Sequence, residues 1–325
     1  MMHCTAASCT ISEGCSIYTP YGEVQVTIEG DREKPAIVTY HDIGLNHGTT
    51  FSGFLSDQSM APLAAKFCWY HIDAPGQEEG ASQLPDDYSY PSMAELAEQI
   101  EYIADHFQLS NFICLGVGIG ANIVARYAAI SPERVRGLVL VNLVPGSVPW
   151  LSLSQLIGKI VSWQLKGRSE GLTRLATHYL TRQTFGPNST DIDGDLVQVF
   201  GELVDSQNPH NLSLLLDSYY KRSSVTGDFA KQVRCDSLFV VSSNFEYKED
   251  VAELCSLLDA QKTTFLEIPN TSGLLLDNQP AKVAMALRLF LQGMGLIPSL
   301  SSHTSLHPPH HLTLQGVPSE LHPKD

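Results

Sequence analysis

The chain has 325 residues, enough for one large core with an inserted subdomain or for two ordinary domains. Hydrophobic residues make up 43% and charged residues 17%, which excludes a chain too polar to fold. The formal net charge of −15 excludes nucleic acid or an anionic membrane as the main partner, because both repel an acidic surface, and no run of Lys or Arg opposes it.

Seven cysteines are present. An odd number, with Cys68, Cys114 and Cys235 in or beside apolar strand-like runs, reads as reduced buried thiols rather than a disulfide framework. The first residues lack the basic start and apolar centre of a signal peptide, and no lipidation motif stands at either end. The longest apolar span, residues 137–153, is interrupted by Asn142, Pro145 and Pro149, so no membrane-spanning helix and no integral membrane association are expected. The expected compartment is the cytoplasm.

In chain order, residues 1–20 read as a loose leader. His3, Cys4, Cys9 and Cys15 lie there without a second ligand pair at a recognised metal spacing. Residues 22–30 alternate (Val24, Val26, Ile28) as a half-buried edge strand does. Residues 35–40 form a second strand, ending in His41-Asp42-Ile43-Gly44-Leu45-Asn46-His47. Residues 66–73 form a third, ending in Ala74-Pro75-Gly76-Gln77. Ser92 opens a helix with a capping box, since Glu95 lies three residues on, and an apolar stripe from Met93 to Phe107 follows at helical spacing.

Residues 112–142 are the organising stretch. An apolar strand runs into Gly116-Val117-Gly118-Ile119-Gly120, then a helix with Ala121, Val124, Ala125 and Ala128 on one face. Ser131-Pro132-Glu133 breaks that helix before a second buried strand at 137–141, which makes a βαβ unit. After Pro149 the pattern becomes three or four amphipathic helices (151–166, 170–184, 196–204 and 211–220) with no clear strand, the mark of a helical cap spanning 149–233. The sheet resumes with strands at 237–241 and 263–268 and helices at 251–258 and 281–291. From 296 a Ser-, Pro- and His-rich tail reads as disordered; His307-Pro308-Pro309-His310-His311 within it is a weak metal or docking sequence beside the plainer reading of a solvated tail. The expected class is α/β: a mostly parallel, twisted sheet of about eight strands with helices on both faces, built from residues 21–148 and 234–295.

The glycine turn has the spacing of the nucleophile elbow G-x-S-x-G, in which the central serine attacks. Here the centre is Gly118, which has no oxygen. The acid belongs in the loop after the first strand beyond the cap, where Ser243 stands. The base belongs after the last strand, where Leu274 stands, and no histidine occurs between His210 and His303. Glu246 supplies a nearby carboxylate, but an acid without nucleophile or base does nothing. Triad chemistry is therefore not expected, and neither cofactor nor metal is called for. The alternative, a dinucleotide fingerprint at residues 116–121, requires a carboxylate at the end of the next strand, which reads Val141-Asn142-Leu143. His41, Asp42, His47, His71 and Asp73 gather near the C-terminal ends of strands, where pockets form in open sheets. His41, Asp42 and Asp73, with Gly118, are the candidate pocket. The competing reading is that these side chains pin the two loops by hydrogen bonds.

The segments Pro35-Ala36-Ile37-Val38-Thr39-Tyr40-His41-Asp42-Ile43-Gly44-Leu45-Asn46-His47 and His71-Ile72-Asp73-Ala74-Pro75-Gly76-Gln77-Glu78-Glu79-Gly80-Ala81 resemble the N-myc downstream-regulated (NDRG) family. So do the glycine turn, Gly137-Leu138-Val139-Leu140-Val141-Asn142, Phe290-Leu291-Gln292-Gly293-Met294-Gly295 and the entry Tyr18-Thr19-Pro20-Tyr21-Gly22, a resemblance covering residues 18–295. It implies an α/β-hydrolase fold without hydrolase activity. It also implies a cytoplasmic protein tied to signalling, stress response, differentiation and growth control through protein partners. The chain departs from the family at Ser242-Ser243, where Gly-Asp is usual, and its tail serines have no arginine nearby. An unconventional hydrolase or a small-molecule sensor using the His41, Asp42 and Asp73 pocket stands as the alternative.

Overall fold

The computed structural model describes residues 12–147, 153–166, 168, 171–186, 194–271 and 273–298. Eight strands form one sheet: β1 (Ser12–Thr19), β2 (Gly22–Glu29), β3 (Ala36–Tyr40), β4 (Cys68–Asp73), β5 (Phe112–Val117), β6 (Val135–Val141), β7 (Asp236–Ser242) and β8 (Thr263–Ile268). Their order is β1-β2-β4-β3-β5-β6-β7-β8. The β1–β2 and β2–β4 pairs are antiparallel and the other five are parallel. The central strands β3, β4 and β5 are buried along their whole length, as apolar runs covered on both faces must be.

One face carries Val38, Tyr70, Cys114, Leu140 and Phe239 against α3 (Met93–His106) and α4 (Ile119–Ile130). The opposite face carries Ile37, Trp69, Ile113, Val139 and Val240 against α1 (Gly53–Ser56), α2 (Ala61–Ala64), α11 (Leu275–Asn278) and α12 (Pro280–Gly293). The expected capping box is formed: Ser92 Oγ accepts from Glu95 N, and Glu95 Oε2 accepts from Ser92 N. Between β6 and β7 run α5 (Leu153–Leu165), α6 (Arg174–Phe185), α7 (Gly194–Asp205), α8 (Pro209–Tyr220) and α9 (Thr226–Gln232); α10 (Lys248–Ser256) follows β7. Four of these match the expected cap helices. The fifth, α9, packs on α4.

One expectation fails. Residues 12–19, assigned to the loose leader, are the edge strand β1, so β2 is an interior strand. Only Ile17 of β1 is buried, so the strand is held by its backbone ladder to β2 and leaves almost no apolar alternation to read. The rest of the leader, residues 1–11, and the tail from 299 lie outside the described residues, as do His3, Cys4, Cys9 and the tail histidines. Five cysteines lie among the described residues, and all are free thiols. None of the described helices is long and apolar enough to cross a membrane.

Candidate functional site

The site is built at the C-terminal ends of β3, β5, β6 and β7. β5 turns into α4 through Gly118, whose backbone has φ 54° and ψ −112°, a conformation side-chain-bearing residues rarely adopt. Its N–H donates to Val141 O at 2.9 Å. A Cβ at Gly120 would run into the backbone of Tyr40 and His41, which is why the start of α4 can close onto β3. Asn142, also at positive φ, ties the neighbouring strand ends together. Its Nδ2 donates to Gly273 O at 2.9 Å and its Oδ1 accepts from Ser242 N at 3.1 Å.

The space beside Gly118 belongs to Asp42. A Cβ built on Gly118 would overlap the Asp42 Cγ and both carboxyl oxygens. Oδ1 of Asp42 accepts from Ile43 N at 2.7 Å and from Ile119 N at 3.0 Å. These are the N–H of the residue after the elbow centre and an N–H of the β3 loop. In a hydrolase elbow that pair makes the oxyanion hole. Here an internal carboxylate holds both donors. Burial pushes the Asp42 carboxyl up to about 6, against the hydrogen bonds from Ile119 and Ile43 that favour its ionised form. The same carboxylate disposes of the dinucleotide reading, because a pyrophosphate would meet a negative charge where it needs free N–H groups.

Above Asp42 and Gly118 the helical layer closes down, with Tyr179 of α6 and Leu216, Tyr219 and Tyr220 of α8 on the lining. The Tyr179 and Tyr220 hydroxyls hydrogen-bond to each other, and Gln183 Nε2 donates to the Tyr179 hydroxyl at 3.1 Å. What remains is a cavity of about 40 Å³. Pockets that bury drug-sized ligands run to roughly 300–1,000 Å³. The space holds water at most.

The other residues singled out in the sequence divide. Asp42 and Gly118 line the cavity; His41 and Asp73 are fully buried and do not. The His41 ring accepts from Ala74 N through Nε2 (2.9 Å) and meets Asp42 O through Nδ1 (2.7 Å), so it is the neutral Nδ1–H tautomer bridging the β3 and β4 loops. Burial lowers its pKa, in keeping with that state. Its Nε2 stands 3.9 Å from Asp73 Oδ1, but with that nitrogen accepting a hydrogen bond the two form no ion pair. Asp73 instead accepts from His47 N (2.7 Å) and pairs with His47 Nδ1 (2.5 Å). Burial raises the Asp73 carboxyl, yet its contacts with His47 and the His41 ring outweigh it, and the net shift is downward. His47 is the mirror case: burial lowers it, Asp73 raises it, and the net shift is upward. His71 is pushed down to about 3 by burial and by the nearby His47, and its ring stacks with those of His47, Phe51 and Trp69. His41, His47 and Asp73 lock two loops together, while His71 meets Thr39 Oγ1 through Nδ1 at 2.6 Å and keeps its Nε2 buried without a hydrogen-bond partner. Among the described residues no group of three or more His, Cys, Asp or Glu gathers to hold a metal.

Ser243 follows β7, with its N–H donating to Ile268 O at 3.1 Å, and Leu274 caps α11 while packing on the core. Neither lines the cavity, and Glu246 is exposed; Phe245, Tyr247 and Gly273 take those walls. The sequence reading missed the lining tyrosines of α6 and α8. Their signal was slight: a Tyr-Tyr pair ending an apolar helix face.

Solved structures similar in fold include hydrolases. A thermophilic esterase from Thermogutta terrifontis superposes with a TM-score of 0.72 at 14% identity, covering 87% of this chain and 99% of that one. The enol-lactonase from Burkholderia xenovorans LB400 gives 0.66 at 13% identity, covering 86% and 100%. The chain therefore has the α/β-hydrolase fold. In sequence it is 36% identical to Protein NDRG4-A of Xenopus laevis over 293 residues, covering 88% of this chain and 73% of that protein. To Protein NDRG3 of Xenopus tropicalis it is 34% identical over 315 residues, covering 94% and 77%. The sequence model of the Ndr family matches residues 15–298, and on that match and those relatives the chain belongs to the Ndr family.

Proposed function

We infer that this chain is a non-catalytic protein on a hydrolase fold, acting in the cytoplasm through protein partners in NDRG-type signalling linked to stress response, differentiation and growth control. The observation that carries the non-catalytic reading is Asp42, whose carboxylate sits where a side chain at 118 would stand and holds the two N–H groups an oxyanion would need. Gly118, Ser243 and Leu274 are assigned to the nucleophile, acid and base positions by chain order. None of the three can perform the corresponding step. With the space above Gly118 reduced to about 40 Å³, a substrate or sensed ligand has no seat there, which favours partner proteins over small molecules.

The test is a panel of aryl esters, thioesters and lactones offered to the purified chain. No turnover above buffer is expected, either from the native chain or from Gly118→Ser, which gains an oxygen but neither base nor acid. Saturable turnover that disappears in Asp73→Ala would establish an unconventional hydrolase and overturn the non-catalytic reading.

A further inference from the structure

On the far side of α8 lies a cavity of about 560 Å³, open to solvent between the N-terminus of α3 and the C-terminal ends of α5 and α8. Its size falls within the roughly 300–1,000 Å³ of small-molecule pockets. Four cations line it: Arg126, Lys166, Lys221 and Arg222. The opposing carboxylates on the lining are Glu95 and Asp217, which leaves a surplus of two positive charges. On a chain with a formal net charge of −15, such a local excess needs a reason. Both carboxylates are also engaged: Glu95 accepts from the Ser92 N–H, and Asp217 accepts from Ser162 Oγ at 2.7 Å.

The arginines are placed and incompletely used. Arg222 is 7% exposed, and its Nε is buried without an acceptor. Its Nη1 donates to Tyr219 O at 3.0 Å, and the guanidinium lies 3.8 Å over the Tyr219 ring. Arg126 is fixed by Nε to Asn122 Oδ1 (2.9 Å) and by its two terminal nitrogens to Ser223. Of the five N–H donors a guanidinium carries, these contacts use three on Arg126 and one on Arg222. Burial and the charge of Arg222 together lower Arg126 to about 10, so two like charges are held near each other, which an anion between them would relieve. The 14-residue helix α3 adds the positive end of its dipole, with Ser92, Met93 and Ala94 on the lining. Tyr88, Tyr90 and Leu214 supply the apolar and aromatic remainder.

We propose that this cavity binds a phosphate monoester carried on a small ring or short apolar body. A carboxylate brings one negative charge; a phosphate monoester brings about 1.5 to 2, which matches the surplus, and its oxygens suit guanidinium forks. Tyr88, Tyr90 and Leu214 take the carrier. The site is separate from the cavity beside Gly118 and does not depend on whether that cavity supports chemistry.

The experiment is calorimetric titration of the full chain with phenyl phosphate, and with inorganic phosphate, at ionic strength matched by sodium chloride. Lys166 and Lys221 are exposed, so Lys166→Ala/Lys221→Ala leaves the fold intact while removing two charges. Saturable binding is expected, tighter for phenyl phosphate than for inorganic phosphate, and weakened about tenfold or more in the double variant. Arg222→Gln should abolish it, with circular dichroism checking that the variant is folded. A parallel arm uses phosphatidylcholine vesicles with and without phosphatidic acid. Lysine-dependent binding to the vesicles alone would place the monoester on a lipid headgroup; binding to phenyl phosphate places it on a soluble molecule. No saturable binding in any arm, or affinities unchanged in the lysine variant, overturns the proposal.

Discussion

Replacing Gly118 with alanine tests the account of the elbow at its most exposed point. Two costs follow from the geometry. A side-chain-bearing residue at φ 54° and ψ −112° is strained by about 1–3 kcal/mol. The new Cβ also collides with the Asp42 carboxyl group and drives it off Ile43 N and Ile119 N. Hydrogen bonds to a charged group contribute roughly 1.5–3 kcal/mol each, though a carboxylate pushed toward the small cavity recovers part of that from water. The sum is about 3–5 kcal/mol, large for a methyl group. Urea unfolding followed by circular dichroism measures it in a cycle of Gly118→Ala, Asp42→Ala and the double variant. Asp42→Ala alone strands two N–H groups and should cost about 1–3 kcal/mol. In the double variant the collision is gone, so its cost falls short of the sum of the two by about 1 kcal/mol or more. A Gly118→Ala protein within about 0.5 kcal/mol of the native chain, or a strictly additive cycle, would refute the reasoning.

Titration of Asp42 gives a second prediction. Its carboxyl is raised to about 6 in the folded chain against about 3.9 unfolded, so its protonated form favours folding. The contribution is full below about pH 4 and is lost as pH rises through 6; relative to Asp42→Asn, the native chain should lose about 2–3 kcal/mol across that window. A flat difference between the two proteins would place the carboxyl elsewhere. The half-buried His47–Asp73 pair has the opposite limits: the Asp73 part is lost as pH falls below about 4, and the His47 part is lost as pH rises above about 6.5 through its raised value. Asp73→Ala should therefore cost about 3 kcal/mol in chemical unfolding, most between those limits, and a small uniform loss would argue against the ion pair. Ser92→Ala breaks the capping box of α3 and should cost about 1 kcal/mol, read from the thermal midpoint; no change there would mean that the box contributes nothing.

The parts of the molecule visible in the sequence were those set by local rules. The Gly116-Gly118-Gly120 spacing, the Ser92–Glu95 pair and the apolar runs of β3 to β6 each depend on neighbours within a few residues. β1 was invisible because backbone pairing alone, without alternating burial, makes it a strand. The site was half visible. His41, Asp42 and Asp73 were grouped because all three stand at strand ends, yet they point to different tasks. Only contact between residues 42 and 118, far apart in the chain, reveals that one aspartate fills the elbow while the other anchors a histidine. The basic cavity was hidden for the same reason: its four cations come from α4, the end of α5 and the end of α8, and only Lys221 and Arg222 are neighbours along the chain.

Helix α8 links the two cavities through a single aromatic ring. Tyr219 lines the space over Gly118, and Arg222, one turn further on, places its guanidinium 3.8 Å over that ring from the basic side. If the outer cavity takes an anion as proposed, drawing the guanidinium away would remove the ring's support and loosen the seal over Asp42. Such a coupling would run both ways and with equal free energy: anything that lifts Tyr219 would change anion affinity by the same factor by which the anion changes its affinity.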